Sequence, residues 1–190
     1  ISGTVDCPFT LGIFLGNVPA AKKNIRFIER DLNRCFPGSE KGALASRMAH
    51  GFFNNIAKRC DYILDLHTGA IHRTNLPQIR ANLSNPETLR IAQAFATPVI
   101  VDSALRDGSL RSEAEKCDIP VLTYEAGEAL RFDPLSISAG VLGVRRVMQA
   151  IGMLRASRKK LPEPIIAKST SWVRASGNGI LRTVVNLGDK

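Results

Sequence analysis

A chain of 190 residues with 44% hydrophobic and 23% charged residues is enough for one good-sized core, or for one domain and part of another, and none of its apolar runs is long enough for a bilayer-spanning helix. The net charge of +9 would suit nucleic acid, but aromatic residues make up only 6% and are not interleaved with the basic ones, so there is no obvious stacking platform for bases. Ile1 opens without the order of a signal peptide, and a chain starting at Ile rather than Met is expected to have lost its true beginning.

The charge falls in two places. Lys22, Lys23, Arg26, Arg30 and Arg34 form one cluster, which suits a small anion, and Arg155, Arg158, Lys159 and Lys160 form another, which reads as a solvated helix end. Cys7, Cys35, Cys60 and Cys117 lie far apart without a CxxC pair, so reduced thiols in a cytosolic protein are expected and a zinc-cysteine site is not.

In chain order, residues 1–4 read as a strand end and residues 5–10 as the approach to a different strand. Residues 11–18 (LGIFLGNV) read as a buried strand leading into a loop. Asp31-Leu32-Asn33-Arg34-Cys35-Phe36-Pro37-Gly38, with Arg26 just upstream, sets an acid, a carboxamide and two guanidinium groups beside a Pro-Gly turn. Such a group suits a carboxylate or a polarised carbonyl, because the guanidinium fork binds planar oxyanions bidentately. It also suits a helix or strand end whose Asp and Arg pair with each other at the surface, which composition alone favours.

In residues 42–59, Leu44, Met48, Phe52 and Ile56 recur every fourth position and predict an amphipathic helix. Residues 60–66 (CDYILDL) predict a strand that delivers Asp65 and His67 to its C-terminal end, where open α/β sheets place ligands. A helix over 87–96, a strand over 98–101, a short helix over 112–116 and a strand over 119–124 follow. The last of these ends in Glu125-Ala126-Gly127-Glu128. Residues 136–154 carry Ile137, Val141, Val144, Met148 and Ile151 at spacings of four and three, the pattern of a long helix.

Alternating strands and helices predict an α/β fold with a mixed, largely parallel sheet flanked by helices. Pro162 and Pro164 read as a linker, and residues 172–175 and 180–187 across Gly177-Asn178-Gly179 read as a β-hairpin. The expected division is a catalytic domain over 1–161 and the start of a small C-terminal β domain, cut short, over 162–190.

Of the three histidines, His50 falls within the first helix and reads as structural or exposed, and His72 has no acidic neighbour. His67, two residues after Asp65, reads as either a structural or a metal-binding residue. Glu125 at a strand end would be partly desolvated, which raises a carboxyl toward the range of general acid-base work. Alternatively Glu125 or Glu128 caps the next segment or pairs with Arg131.

Taken together, Asn24-x-Arg26, DLNRCFPG at 31–38, ILDLHTG at 63–69 and TYEAGE at 123–128 resemble the succinylglutamate desuccinylase and aspartoacylase family, zinc-dependent amide hydrolases related to the zinc carboxypeptidases. The resemblance runs from about residue 11 to residue 190. It implies a zinc carboxypeptidase-like fold and one Zn2+ per chain, bound by two His and one Glu, with His67 the later histidine ligand. It also implies Glu125 as the catalytic proton carrier and Arg26 as the stabiliser of the oxyanion. Asn33 and Arg34 match the pair that holds the substrate carboxylate, Arg111 matches a further substrate-binding arginine, and residues from Trp172 onward match the start of a β domain.

One departure stands against these matches. The family's first metal motif, a His followed three residues later by a Glu, has no counterpart here, because Ile1-Ser2-Gly3-Thr4 runs into Val5-Asp6-Cys7-Pro8. Two of the three zinc ligands are therefore missing from these 190 residues, and the expectation is that two pieces of a longer chain meet between Thr4 and Val5. A continuous peptide there would instead make the protein a degenerate relative without metal.

The function implied is hydrolysis of the amide of a small anionic N-acyl amino acid in the cytoplasm, with neither nucleic acid nor membrane as partner and with a homo-oligomer compatible. Carboxypeptidase-like cleavage of a peptide and metal-free carboxylate binding are the alternatives.

Overall fold

The computed structural model describes residues 9–180 and 182–189. The readings placed on residues 1–8, including the strand end at 1–4, Cys7 and the break between Thr4 and Val5, lie outside the described residues. Among the described residues the helices are α1 (Val18–Lys22), α2 (Leu44–Asn55), α3 (Pro86–Phe95), α4 (Leu110–Glu115) and α5 (Pro134–Ala150). The strands are β1 (Ile63–Gly69), β2 (Asn75–Ala81), β3 (Val99–Asp102), β4 (Val121–Glu128) and β5 (Ile165–Ala167). Leu32–Arg34 and Ala57–Arg59 form single 3-10 turns. No helix among the described residues is long and apolar enough to cross a membrane.

The chain divides into two compact units. One comprises the described residues up to Ile63 with Leu105–Val121 and Arg145–Lys159, and the other comprises Leu64–Ala104, Leu122–Val144 and the described residues from Lys160 onward.

The second unit carries nearly all of a five-stranded sheet in the order β1-β4-β2-β3-β5. β3 pairs parallel with both β2 and β5, while β2 and β4 pair antiparallel. Ile63 N–H donates to the Pro120 carbonyl and Ala129 N–H to the Gly69 carbonyl, so β1 and β4 run in the same sense. The sheet is thus mixed and mostly parallel, as the alternation of elements predicts.

β2 is an inner strand that the sequence pattern conceals. Pro77 lies inside it, and proline ordinarily argues against a central strand because it cannot donate to the ladder. Here the register shifts between Asn75 and Gln78, so Pro77 sits in a bulge.

Side chains on β4 alternate. Leu122, Tyr124 and Ala126 are buried on one face, while Thr123 and Glu125 are half-buried on the other. Ile79, fully buried, lies opposite Tyr124 on the core face. α3 begins where Asn85 accepts from the Glu87 and Thr88 amides, and it ends at Ala96 in the left-handed region. It buries Ile91, Ala92 and Phe95, and the Phe95 ring stacks on Tyr124 with centroids 5.0 Å apart.

α5 lies against these rings through glycine. A Cβ on Gly140 would stand 3.0 Å from Tyr124 Cε1, and a Cβ on Gly143 would fall inside the Phe95 ring's van der Waals envelope. The predicted apolar stripe of this helix is corrected accordingly. Ile137 and Val141 are exposed, while Gly140, Gly143 and Val147 are buried, because a stripe without side chains admits the large rings of neighbouring elements. Tyr124 Oη donates to the Ser136 carbonyl at 2.7 Å, and burial together with the Asp133 charge pushes its phenol up to about 12.

In the first unit α2 packs on a cluster of Phe36, Leu110, Ala114, Ile119 and Val121. Its buried stripe is Ala45, Ala49, Phe53 and then Ala57, one position along from the predicted Leu44, Met48, Phe52 and Ile56. Small alanines let the helix approach closely, and Phe52 packs at the flank with Phe14 and Phe36. His50 hydrogen-bonds Asn54 and lies 3.4 Å from Glu40, in keeping with a structural role.

Three other expectations are corrected. Residues 11–18 form no strand; Leu11, Ile13 and Leu15 are exposed, and among the described residues the first regular element is α1. Residues 155–160 are exposed and without regular structure rather than a helix end, since α5 stops at Ala150. Residues 172–175 and 182–187 form no hairpin; Val173 and Val184 are almost fully exposed, and two short strands alone bury too little to hold together. Trp172 instead lies under Arg73, 5.4 Å from ring centroid to guanidinium carbon.

Candidate functional site

In the first unit the loop from Arg26 to Phe36 is organised by Asp31. Its Oδ2 accepts from Arg26 Nε at 3.0 Å and Nη2 at 2.8 Å, and its Oδ1 caps the following 3-10 turn by accepting from the Asn33 amide at 3.0 Å. The ion pair anticipated as one reading of this motif is therefore present, with the Arg26 side chain still 57% exposed.

Burial alone would push the Asp31 carboxyl up. The Arg26 hydrogen bonds, the Asn33 amide and the Arg26 and Arg34 charges outweigh it and hold the group below the usual carboxylate range. Asp133 is lowered too, chiefly by the Ser136 hydroxyl and amide. A lowered carboxyl contributes stability that is present above its unfolded value and lost as pH falls through its folded value. We therefore expect the thermal midpoint to drop below about pH 4, and Asp31→Asn to flatten that acid-side slope when unfolding is followed by fluorimetry from pH 7 to 3.

The same loop is docked on the start of α4. Asn33 Oδ1 accepts from the Leu110 amide at 2.9 Å, and the Phe36 amide donates to the Gly108 carbonyl at 2.9 Å. Gly108 has a positive φ of 74°, and a Cβ there would stand 2.7 Å from the Arg34 carbonyl oxygen. With its oxygen engaged by Leu110, Asn33 keeps its Nδ2 donor for a ligand. Arg34 Nη1 donates to the Asn33 carbonyl, which leaves Nε and Nη2 without a partner among the described residues. Arg111, half-buried, follows Leu110 on α4, so the structure brings Arg26, Asn33, Arg34 and the backbone of Arg111 into one cluster.

In the second unit His67 and Asp65 project from the same side of β1, with His67 Nε2 and Asp65 Oδ2 2.8 Å apart. β4, which carries Glu125, is the neighbouring strand. Both strands run further than the sequence predicts, β1 to Gly69 and β4 to Glu128, so His67 and Glu125 lie within strands rather than beyond their ends.

Glu125 Oε2 accepts from Asn75 Nδ2 at 2.8 Å. Glu128 has the structural part of the two roles considered. It accepts from the His72 amide at 2.9 Å and Thr74 Oγ1 at 3.2 Å, and stands 3.4 Å from Arg131 Nε. The His72 amide first, then Thr74 and Arg131, hold its carboxyl below the usual range. Sequence reasoning missed Asn75. Its one signal is an Asn-Leu-Pro step, which marks a bulge only once a strand is known to run through it.

A catalytic zinc takes three protein ligands and one open position. Among the described residues no group of three His, Cys, Asp or Glu side chains converges on such a point, and the His67 ring is engaged by Asp65. The described residues therefore do not complete a zinc site.

The family model of the succinylglutamate desuccinylase/aspartoacylase catalytic domain matches residues 9–151. The N-alpha-acetyl-L-2,4-diaminobutyric acid deacetylase of Halomonas elongata is 25% identical, over 91% of this chain and 55% of its own length. A succinylglutamate desuccinylase/aspartoacylase structure from Rhodobacter sphaeroides superposes with a TM-score of 0.68 and 28% identity over 74% of this chain and 44% of its own. A succinylglutamate desuccinylase structure from Silicibacter sp. TM1040 shares the fold, with a TM-score of 0.76 and 21% identity over 91% of this chain and 56% of its own. The chain spans about half the length of these relatives. With three quarters of its residues under the family model, it belongs to the succinylglutamate desuccinylase/aspartoacylase catalytic-domain family.

Proposed function

We propose that this chain carries the catalytic half of a deacylase that hydrolyses the amide of a small anionic N-acyl amino acid. Family membership supports the reaction class. The observation that supports the substrate class is the Leu110 bond to Asn33 Oδ1, which fixes the carboxamide by its oxygen and keeps its Nδ2 donor for a ligand, next to the Arg34 guanidinium. A carboxylate can accept from both.

In this reading Glu125 takes a proton from the attacking water and returns it to the leaving amine. Arg26 stabilises the charge that develops on the carbonyl oxygen, Asn33 and Arg34 hold the substrate carboxylate, and Arg111 adds positive charge. If zinc is the cofactor, His67 is one ligand and the others come from outside the described residues; such an ion would supply Lewis acidity at the scissile carbonyl.

The test is elemental analysis of the full chain with assays on N-acetyl-2,4-diaminobutyrate and N-succinylglutamate. About one zinc per chain with turnover of either compound supports the reading. The incomplete ligand set among the described residues favours one other reading, a carboxylate-binding relative without catalysis. Metal-free protein that binds these compounds saturably without cleaving them would establish that alternative.

A further inference from the structure

The register of β2 against β4 contains an extra residue, and its position decides which side chains share a face with Glu125. Gln78 lies opposite Glu125. In unbroken antiparallel pairing, a step of two along β4 to Gly127 would bring Leu76 opposite it and leave Asn75 facing Glu128 on the other side of the sheet. The observed partner of Gly127 is Asn75. One residue has been inserted in β2 at the stretch containing Pro77, which lacks an N–H and suits a bulge. The insertion turns Asn75 over to the face of Glu125, and its amide donates to Glu125 Oε2 at 2.8 Å. The preceding turn is fastened as well, since the His72 amide and Thr74 hydroxyl both donate to Glu128.

We infer that Asn75, turned onto the Glu125 face by the β2 bulge, is a positioning residue that fixes the Glu125 carboxylate through Oε2 and leaves Oε1 to exchange the proton. The inference rests on the assignment of Glu125 as proton carrier, and it concerns orientation, not an independent catalytic group. An amide donor that holds one oxygen removes a rotamer choice from the carboxylate before substrate arrives.

The experiment uses the full chain and whichever of N-acetyl-2,4-diaminobutyrate and N-succinylglutamate it turns over faster. Asn75→Ala is expected to lower kcat roughly tenfold with KM within about twofold, the scale of one hydrogen bond to a charged group. Asn75→Asp keeps the shape but sets two carboxylates together, and is expected to lower kcat about a hundredfold. Asn75→Ser, shorter but still a donor, should recover part of the Asn75→Ala loss. Thermal midpoints within about 3 °C of the parent separate positioning from a general loss of fold.

If Glu125→Gln is inactive while Asn75→Ala keeps near-normal kcat, the inference is overturned. If Glu125→Gln itself retains activity, the functional reading fails, and a crystal structure of Asn75→Ala decides the positioning claim without turnover. The Glu125 carboxylate is expected to leave its present position in that variant, and an unchanged single rotamer would overturn the inference.

Discussion

Glu125→Gln is expected to lower kcat about a thousandfold, within the span of a lost general acid-base group, while KM stays within about twofold. The substitution changes one atom. The carboxamide oxygen can still accept from Asn75 Nδ2, so the side chain keeps its place on β4 and the β2 bulge keeps its bond. What disappears is the ability to take a proton from water and return it to the amine. Because Glu125 is half-buried on the face opposite the Tyr124 core, the exchange does not touch the packing of Phe95 on Tyr124. The thermal midpoint should therefore hold, and an inactive variant that melts with the parent would separate chemistry from folding. Steady-state kinetics on the two acyl amino acids makes the comparison, and a variant with near-normal kcat would remove Glu125 from the role.

Motif residues were legible because their chemistry is local. The polar run Asp31 to Arg34 beside Pro37-Gly38 marks a turn wherever it occurs, and the structure makes it the hub of Arg26, Asn33 and Leu110. Alternation of strand and helix was legible for the same reason, since caps such as Asn85 before Pro86 act within one turn.

Non-local features were hidden. β2 carries no strand pattern across its Pro77 and is defined only through pairing with β3 and β4, while β5 spans three residues and is defined by β3 alone. The buried stripes of α2 and α5 were misread because close approach selects Ala45, Ala49, Gly140 and Gly143, residues that carry little hydrophobic signal. Residues 11–18 show the reverse case: an apolar run predicts burial, yet nothing within the run says which strand would pair with it.

Gly143→Ala provides the strongest test of that packing. In an exposed helix the change would stabilise by about 1 kcal/mol, because alanine has less backbone freedom to lose. At Gly143 the new methyl enters the space of Phe95, whose ring is only 1% exposed and is stacked on Tyr124, so it has nowhere to swing. Overpacking of this kind costs about 1 to 3 kcal/mol, and overlap with an immobilised ring belongs at the upper end. The expected net loss is about 2 kcal/mol, a fall in thermal midpoint of roughly 4 to 8 °C.

Gly51→Ala supplies the control, since it lies inside α2 and a Cβ there meets nothing within 4 Å. It should raise the midpoint. Opposite signs for one substitution in two helices would establish the close approach of α5, and equal signs would refute it. In a double variant, Phe95→Leu should relieve part of the Gly143→Ala penalty, because the two side chains compete for the same volume. A purely additive pair would place the clash elsewhere. The core and the site meet on β4: Tyr124 anchors the strand on the side where Gly143 admits Phe95, and the next residue is Glu125. A variant that loosens Phe95 should therefore lower kcat as well as stability, whereas Gly51→Ala should change stability alone.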